Sequence, residues 1–279
     1  MYSGRISDFS GTIDVEETVF SGQTFLWKRG NDSQSSVYTF VPYYHSPTGK
    51  TERVQMWNPT KTNKTDFTSI NWEASFEAST YIKRRLNLTE TYFQMDKSVK
   101  ESLNIDCPSI RVLSEPFWPT VVSFICSSAA NIERIYEMQQ NLIELSSSQN
   151  LYPTVETLSD VSTEKLQNAR LGYRAKYVSE TASSFGTTQS MLETYDSLTD
   201  KSVSDVRETL KTYSGVGDKV ANCISLYSLN NLSVVPVDTH IEDTSENPEA
   251  FFAEISGADK SGIAQLYTFA DKSNAQERM

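Results

Sequence analysis

Residues 203–219 read Val-Ser-Asp-Val-Arg-Glu-Thr-Leu-Lys-Thr-Tyr-Ser-Gly-Val-Gly-Asp-Lys, and this stretch decides the fold of the second half of the chain. Residues 203–213 have the amphipathic pattern of a short helix. Gly215 and Gly217 then permit a tight turn and the close approach of a ligand, because glycine accepts positive φ and has no Cβ. The next helix begins with unpaired amides, which favour an anion. The pattern predicts a helix–hairpin–helix unit, which holds a DNA strand through backbone amides to phosphate.

A lysine and an aspartate after the hairpin form a candidate catalytic pair. Lys219 lies in the first turn of the second helix, and Asp238 follows the apolar, proline-containing run 235–237. An amine reacts as a nucleophile only in its free form, so its site must supply a base or lower its pKa. Two plainer interpretations stay open: Lys219 binds phosphate at the surface, and Asp238 caps a helix that begins at Thr239. For Asp238, a capping role and a catalytic role are compatible.

Together these segments resemble the helix–hairpin–helix DNA glycosylase superfamily, and within it the branch of the eukaryotic-type 8-oxoguanine DNA glycosylase/AP lyase. Four further segments resemble that family in the same order, namely 21–27, 124–135, 171–178 and 261–269. In the family they are a strand of the base pocket, a helix pair that contacts the opposite strand, a wedge and the last helix. The resemblance extends over nearly the whole chain.

The resemblance implies a bifunctional enzyme that flips a damaged nucleotide out of duplex DNA, because the glycosidic carbon cannot be reached within the base stack. Lys219 would attack C1′ as the base leaves and form a Schiff base with the opened sugar. Asp238 would stabilise the cationic sugar and orient the lysine, and β-elimination would cleave the strand. Two alternatives stay open: a glycosylase for another oxidised or alkylated base, and a non-catalytic helix–hairpin–helix DNA-binding protein. Monofunctional alkyl-base relatives lack this lysine, so Lys219 argues against them.

The resemblance also implies a pocket for the extruded base. Phe269 and Cys223 would pack on the two faces of the base, and Gln265 would read its Watson–Crick edge with an amide donor and acceptor. The backbone carbonyl of Gly22 would accept the N7 hydrogen that 8-oxoguanine has and guanine lacks. A buried group left without its partner costs about 1–3 kcal/mol, so this one bond could discriminate between the two bases.

Further residues are implied to contact the DNA around the lesion. Tyr173 would enter the gap in the duplex, and Arg174 and Arg134 would hydrogen-bond the base left without a partner, for which the donors of a guanidinium are suited. His240 would contact a backbone phosphate. One position departs from the family: Ala129 stands where the family has an asparagine that contacts the unpaired base. We therefore expect looser selectivity for the opposite base.

Apolar and polar residues approximately alternate in the first part of the chain, which predicts an antiparallel sheet with strands at 12–20, 36–41 and 53–57. Helices are predicted at about 76–86, 91–103, 119–129, 131–146, 173–186, 189–197, 203–212, 218–229 and 259–271. The prolines within 116–119 mark a boundary. The predicted fold class is α+β: an antiparallel sheet domain with flanking helices over 1–115, then an all-helical helix–hairpin–helix glycosylase domain over 116–279. The last helix is expected to close the base pocket.

The net charge of −11 and the pI of about 4.8 contrast with the basic surface that usually gives a duplex binder its affinity. Two explanations stay open. Basic residues could be concentrated in the proposed DNA-facing half, which holds Arg134, Arg170, Arg174, Lys176, Lys211 and Lys219. Alternatively, the protein works in a salt-rich cytoplasm, as in a halophilic archaeon, where an acidic surface maintains solubility.

No stretch approaches the ~20 apolar residues of a membrane span, and the N-terminus has no apolar signal-peptide core. We expect a cytoplasmic, intracellular monomer without membrane contact that binds double-stranded DNA containing a damaged base. Three cysteines fit reduced thiols but not a four-cysteine cluster, and two histidines argue against a histidine zinc site. No cofactor or metal is expected, apart from a monovalent or divalent cation that backbone carbonyls of the hairpin could bind.

Overall fold

The computed structural model describes residues 1–30, 36–41, 52–61, 64–104, 110–146 and 152–277. The chain forms two compact units, Met1–Ser114 with Leu232–Met279, and Glu115–Asn231. One unit therefore ends where the sequence places a domain boundary. The sequence predicts a single domain over 116–279, whereas the contacts in the structure group Leu232–Met279 with the first unit. A buried hydrogen bond of 2.8 Å from the Tyr267 hydroxyl to Asp96 Oδ1 is one of these contacts.

The first unit, Met1–Ser114 with Leu232–Met279, contains an antiparallel sheet of five described strands in the order β1-β7-β4-β3-β2. The strands are β1 (Tyr2–Ile6), β2 (Lys28–Arg29), β3 (Val37–Val41), β4 (Glu52–Trp57) and β7 (Ile70–Ala74), and a separate pair comprises β5 (Thr60–Lys61) and β6 (Lys64–Thr65). Alternate residues of β4 and β7 are buried, so one face of the sheet covers a core that includes Val54, Met56, Ile70 and Trp72. The predicted antiparallel sheet is confirmed.

The strand predicted at 12–20 is wrong, because Val15–Phe20 form helix α1. Asp14 caps this helix, and its Oδ1 accepts a hydrogen bond of 2.9 Å from the Glu17 amide. The buried positions of α1 are Val15, Thr18 and Val19, which have the three- and four-residue spacing of a helix face. Such spacing in a short segment is easily taken for alternation.

The segment 21–27, expected as a strand of the base pocket, is not a strand in the structure, and β2 begins only at Lys28. The buried side chain of Gln23 provides hydrogen bonds that a sheet would otherwise supply. Its Nε2 donates to the Arg111 carbonyl over 2.8 Å, and its Oε1 accepts from the Leu113 amide over 2.7 Å. The segment is thus held by side-chain bonds to a neighbouring loop instead of a strand ladder.

The remaining helices of the first unit are α2 (Ser79–Arg85), α3 (Glu90–Leu103), α12 (Thr239–Glu242), α13 (Pro248–Ser256) and α14 (Ser261–Glu277). The sequence did not predict α13. Asn247 caps it by accepting from the Ala250 amide over 3.1 Å, and Pro248 occupies its first turn, where proline loses no hydrogen bond. The last predicted helix is present and extends further than expected.

The second unit, Glu115–Asn231, is helical. Its helices are α4 (Phe117–Cys126), α5 (Ile132–Leu145), α6 (Val155–Asp160), α7 (Thr163–Leu166), α8 (Arg174–Phe185), α9 (Thr188–Thr199), α10 (Val203–Leu210) and α11 (Asp218–Tyr227), and a π-turn covers Gln167–Leu171. Every residue of α4 is buried, so this helix is central to the unit. Each helix predicted in this range is present, and α6 and α7 are additional. Within the described ranges, no helix has both the length and the apolar character needed to cross a membrane.

Candidate active site

Lys219 is the second residue of α11, and its side chain is half-buried. Its Nζ donates to Ser127 Oγ over 3.2 Å and lies 5.3 Å from the centroid of the Phe124 ring. Phe124 belongs to α4 and Ser127 caps the C-terminal end of that helix, so the buried helix fixes both neighbours of the amine. Both of these groups are uncharged, so neither forms an ion pair with the amine.

The turn before α11 is set by close packing against α8. Gly215 has a φ of +78°, and a Cβ added there would lie 2.7 Å from Cβ of Tyr177, so glycine is required twice over. The Ser214 carbonyl accepts a hydrogen bond of 2.9 Å from Thr181 Oγ1, which ties the turn to the same helix. Gly217 precedes α11 and is exposed, with open space around its Cβ position. The first amides of α11 therefore begin at an exposed turn with a fixed backbone.

Charged side chains at this turn are paired. Lys211 Nζ lies 2.9 Å from Asp218 Oδ1 and 3.2 Å from Glu208 Oε1. The hydrogen bond from Lys211 lowers the pKa of Asp218, and the hydrogen bond to Asp218 raises the pKa of Lys211. The edge of the hairpin thus carries two carboxylates around the Lys211 ammonium, which disfavours a further anion unless Lys211 moves to it.

Asp238 lies directly before α12 and is half-buried. Its Oδ1 accepts a hydrogen bond of 3.2 Å from the Ile241 amide, and its carbonyl accepts from the amides of Ile241 and Glu242. The capping interpretation is confirmed, and the cap fixes the orientation of the carboxylate. Asp238 belongs to the first unit, whereas Lys219 belongs to the second.

Helix α14 carries both residues expected to read the base. Gln265 is 2% exposed, and its Oε1 is buried without a hydrogen-bond partner among the described residues. Such an oxygen costs about 1–3 kcal/mol, so it marks a position where a ligand donor would be favourable. Phe269 lies one turn later and is half-buried. Gly22, also in this unit, has a φ of +81° in the bend after α1.

Cys223 lies one turn after Lys219 on α11 and is buried. Cys126, at the end of α4, is also buried, and burial raises the pKa of its thiol to about 12. A thiol with so high a pKa stays protonated at neutral pH and is a poor nucleophile. Cys107 lies outside the described residues.

Tyr173 directly precedes α8 and Arg174 begins it, and the two side chains differ in exposure. Tyr173 is 53% exposed, and its hydroxyl donates to the Ser128 carbonyl over 3.0 Å. Arg174 is only 7% exposed, and its guanidinium donates to the carbonyls of Ser128, Ala129 and Leu171. The guanidinium thus holds the turn between α4 and α5. Its expected contact with the base left without a partner stays a prediction.

Arg134 on α5 has two partners. Its Nη1 lies 3.0 Å from Glu137 Oε2, and its Nη2 donates to the Arg170 carbonyl over 2.6 Å. Glu137 Oε1 also pairs with the Arg170 guanidinium. Arg170 lies within the π-turn and has a φ of 68° and a ψ of 17°. One carboxylate therefore holds two arginines side by side.

Ala129, where the resemblance leads us to expect an asparagine, has a φ of 50° and is exposed. A left-handed conformation costs a residue with a Cβ about 1–2 kcal/mol. Asparagine adopts this conformation more readily, since its side chain bonds locally. The backbone of this turn therefore favours asparagine over the alanine that this chain has.

Sequence reasoning missed several neighbours of the expected site. Ser127 and Phe124 lie in the segment that is expected to contact the opposite strand, and no sequence motif points to Glu137. The prediction for His240 rests on its side chain, which lies outside the described part of the chain. Where the structure is described, no group of three or more His, Cys, Asp and Glu side chains could hold a metal ion.

Part of the chain is similar to a known protein family. Residues 122–247 match the model of the HhH-GPD superfamily base excision DNA repair proteins. The chain carries an HhH-GPD domain. This range includes the hairpin, Lys219 and Asp238.

A curated protein and a solved structure are also similar to this chain. An N-glycosylase/DNA lyase of Saccharomyces cerevisiae is 37% identical over 54% of this chain and 48% of the relative, so the chain spans about half its length. The solved structure of MBOgg1 in complex with a low affinity DNA ligand has a TM-score of 0.75 and 25% identity, covering 99% of this chain and 100% of that chain.

A further solved structure shows the shared fold. The 8-oxoguanine glycosylase/lyase of Clostridium acetobutylicum, in complex with DNA containing cytosine opposite 8-oxoG, has a TM-score of 0.77 and 20% identity, covering 99% of each chain. The predicted combination of a sheet with a helical HhH-GPD domain is therefore confirmed.

Proposed function

We propose that this HhH-GPD protein is a bifunctional DNA glycosylase/AP lyase that excises 8-oxoguanine from duplex DNA in base excision repair. The observation that carries the proposal is the position of Lys219 at the start of α11. Its amine donates a hydrogen bond to the Ser127 hydroxyl and lies near the Phe124 ring. A lysine that only bound phosphate would extend into solvent beyond the turn. The names of the relatives in the predicted branch support the same activity.

The hairpin amides would hold a backbone phosphate next to the flipped nucleotide. The free amine of Lys219 would attack C1′, and the glycosidic bond would break with its electron pair passing to the departing base, which takes up a proton. Loss of a proton from the new ammonium and opening of the sugar would give the Schiff base. Removal of a C2′ proton would then form a C2′–C3′ double bond and release the 3′ phosphate oxygen.

Asp238 would stabilise the positive charge that develops on the sugar. Its carboxylate is already oriented by the Ile241 amide, so little reorganisation is needed when the charge forms. The capped helix α12 thus supports a catalytic role, as the sequence allowed.

Base recognition would use the unpaired Oε1 of Gln265, which can accept a hydrogen bond from the Watson–Crick edge. Phe269 would pack on a face of the base, and the Gly22 carbonyl would accept the N7 hydrogen of 8-oxoguanine. On the DNA side, Tyr173 is exposed enough to act as a wedge, and Arg134 would contact the base left without a partner.

Borohydride trapping on a duplex containing 8-oxoguanine tests the proposal, because borohydride reduces a Schiff base to a stable covalent adduct. We expect an adduct with the wild type and none with Lys219→Gln. Lys201→Gln is the matched control, since Lys201 is an exposed lysine of the same unit whose Nζ donates to Thr209 Oγ1. An undiminished adduct with Lys219→Gln would refute the assignment of the nucleophile.

The same assay separates the alternatives. Duplexes with other oxidised or alkylated bases show whether a different lesion is preferred. Binding to damaged duplex without any adduct or base release would indicate a non-catalytic DNA-binding protein. Asp238→Asn should still bind damaged duplex and lose most turnover, and full activity of that variant would remove the proposed role of Asp238.

A further inference from the structure

One surface of the second unit carries a cluster of Arg134, Glu137 and Arg170. Glu137 Oε2 lies 3.0 Å from Arg134 Nη1, and Glu137 Oε1 pairs with the Arg170 guanidinium. The Arg170 side chain is 59% exposed. The cluster therefore presents two guanidinium groups that one carboxylate keeps together, with a net positive charge.

The backbone at Arg170 is unusual in a way that bears on function. Its φ of 68° is rare for a residue with a long side chain, and it lies in a π-turn. The strained residue also orients its neighbour, because the Arg170 carbonyl accepts a hydrogen bond of 2.6 Å from Arg134 Nη2. Strain of this kind persists where the surrounding structure holds it, often at binding sites.

Arg174 and Arg170 differ in the exposure of their guanidinium groups. Its guanidinium is buried and donates to the carbonyls of Ser128, Ala129 and Leu171. Arg170 has its guanidinium exposed on the same connection that leads to Tyr173. Each guanidinium has five donors, and the contact with Glu137 leaves further donors of Arg170 for a ligand.

We propose that Arg170 is a further specificity residue that reads the strand opposite the lesion, and that Glu137 is a positioning residue for Arg170 and Arg134. The inference rests on the proposed function, in which Arg134 contacts the base left without a partner. A guanidinium fork matches two acceptors on one base edge, so a second arginine beside Arg134 adds discrimination between opposite bases.

Excision of 8-oxoguanine opposite C, T, G and A tests the role of Arg170, with the variant Arg170→Gly. Glycine accepts the positive φ, so the turn is retained and a melting temperature no lower than that of the wild type verifies the fold. We expect the ratio of rates between the best and the worst opposite base to fall by about 5-fold or more, which corresponds to the loss of one base contact. Arg29→Ala, which removes an exposed arginine paired with Glu16 at 2.8 Å in the first unit, should leave the ratio unchanged.

Glu137→Gln tests the positioning role, because it keeps the shape and removes the charge. We expect the same loss of discrimination, together with tighter binding to undamaged duplex and a steeper dependence of affinity on salt. A purely structural glutamate would change neither the discrimination nor the salt dependence. Unchanged discrimination in Glu137→Gln would overturn its positioning role.

Three outcomes would overturn the assignment of Arg170. These are equal rates opposite all four bases in the wild type, unchanged discrimination in Arg170→Gly, or a uniform loss of affinity with a shallower salt dependence, which indicates a phosphate contact. If the wild type gives no borohydride adduct, the proposed function fails separately. Binding of a stable abasic analogue opposite each of the four bases then decides on Arg170 without catalysis.

Discussion

Two kinds of turn in the unit Glu115–Asn231 hold residues at positive φ, and they use opposite residue types. The hairpin uses Gly215, whose added Cβ would lie 2.7 Å from Cβ of Tyr177. The turns at Ala129 and Arg170 use residues with side chains, at φ values of 50° and 68°. Space explains the difference, because the hairpin packs directly on α8 while Ala129 and the Arg170 side chain are exposed. Where packing leaves no room for a Cβ, the position requires glycine, and a glycine can be recognised in the sequence. An exposed turn with positive φ can hold other residue types, so the sequence does not reveal it.

The largest effect is expected for Gly215→Ala. The new methyl group meets the Tyr177 side chain and φ stays positive, so we expect unfolding free energy to fall by about 3 kcal/mol, from overpacking plus backbone strain. Urea unfolding followed by circular dichroism measures this. Gly217→Ala is the control and should leave the free energy of unfolding nearly unchanged, since the Cβ position of Gly217 is open and its φ is −95°. Equal stability of both variants would show that close packing does not enforce the glycine.

Arg174→Ala should have the next largest effect, because it removes the donors that hold the turn at Ala129. A hydrogen bond that involves a charged group contributes about 1.5–3 kcal/mol to stability. We therefore expect the free energy of unfolding to fall by about 2 kcal/mol. Lys83→Ala is a control, since its pair with Asp8 is exposed and contributes little. If Arg174→Ala kept full stability and lost only opposite-base selectivity, the original assignment of Arg174 to the unpaired base would be favoured.

Ala129→Asn should stabilise the protein. Asparagine adopts the left-handed conformation at less cost than alanine, so we expect a gain of about 1 kcal/mol in unfolding free energy. Ala130→Asn tests whether the gain comes from φ, because only Ala129 of the two has a positive φ. Thermal melting of both variants gives the comparison. A gain of the same size at both positions would show that the strain at Ala129 is not its source.

The smallest effect concerns the charges of the hairpin. The pKa of Asp218 is lowered in the folded state by its hydrogen bond from Lys211, so its contribution is present above the unfolded pKa. That contribution is lost as the pH falls through the lowered pKa, below the ordinary value of 3.8. Asp218→Asn should therefore be slightly less stable than the wild type at pH 7 and equal to it in strong acid. Melting temperatures across this range at low salt measure the difference, and a constant difference at every pH would contradict the pairing.

The sequence predicted those parts of the fold that depend on local patterns. The hairpin helices α10 and α11 follow from glycines and amphipathic spacing, and the cap at Asp238 follows from the residues after it. The pattern at 12–20 predicts a strand instead of helix α1, because periodicity cannot distinguish the two in a six-residue segment. Strand β1 pairs with β7, and such a distant partner leaves no local signal.

The same distinction applies to the candidate site. Lys219 could be singled out by its place after the hairpin, but its contacts with Ser127 and Phe124 depend on helix packing. The burial of Arg174 and the pairing of Arg170 with Glu137 likewise depend on tertiary contacts. Residue types in a motif indicate the chemistry, whereas the partners of each side chain are set by distant parts of the chain.

The grouping of Leu232–Met279 with Met1–Ser114 has a consequence for biosynthesis. The stretch Glu115–Asn231 is continuous, so it leaves the ribosome with all of its own helices and can fold during translation. The other unit, although its first residues are made earlier, lacks the Tyr267 partner of Asp96 until the final helix emerges. The unit that contains the sheet is therefore completed only after Glu115–Asn231 has been made.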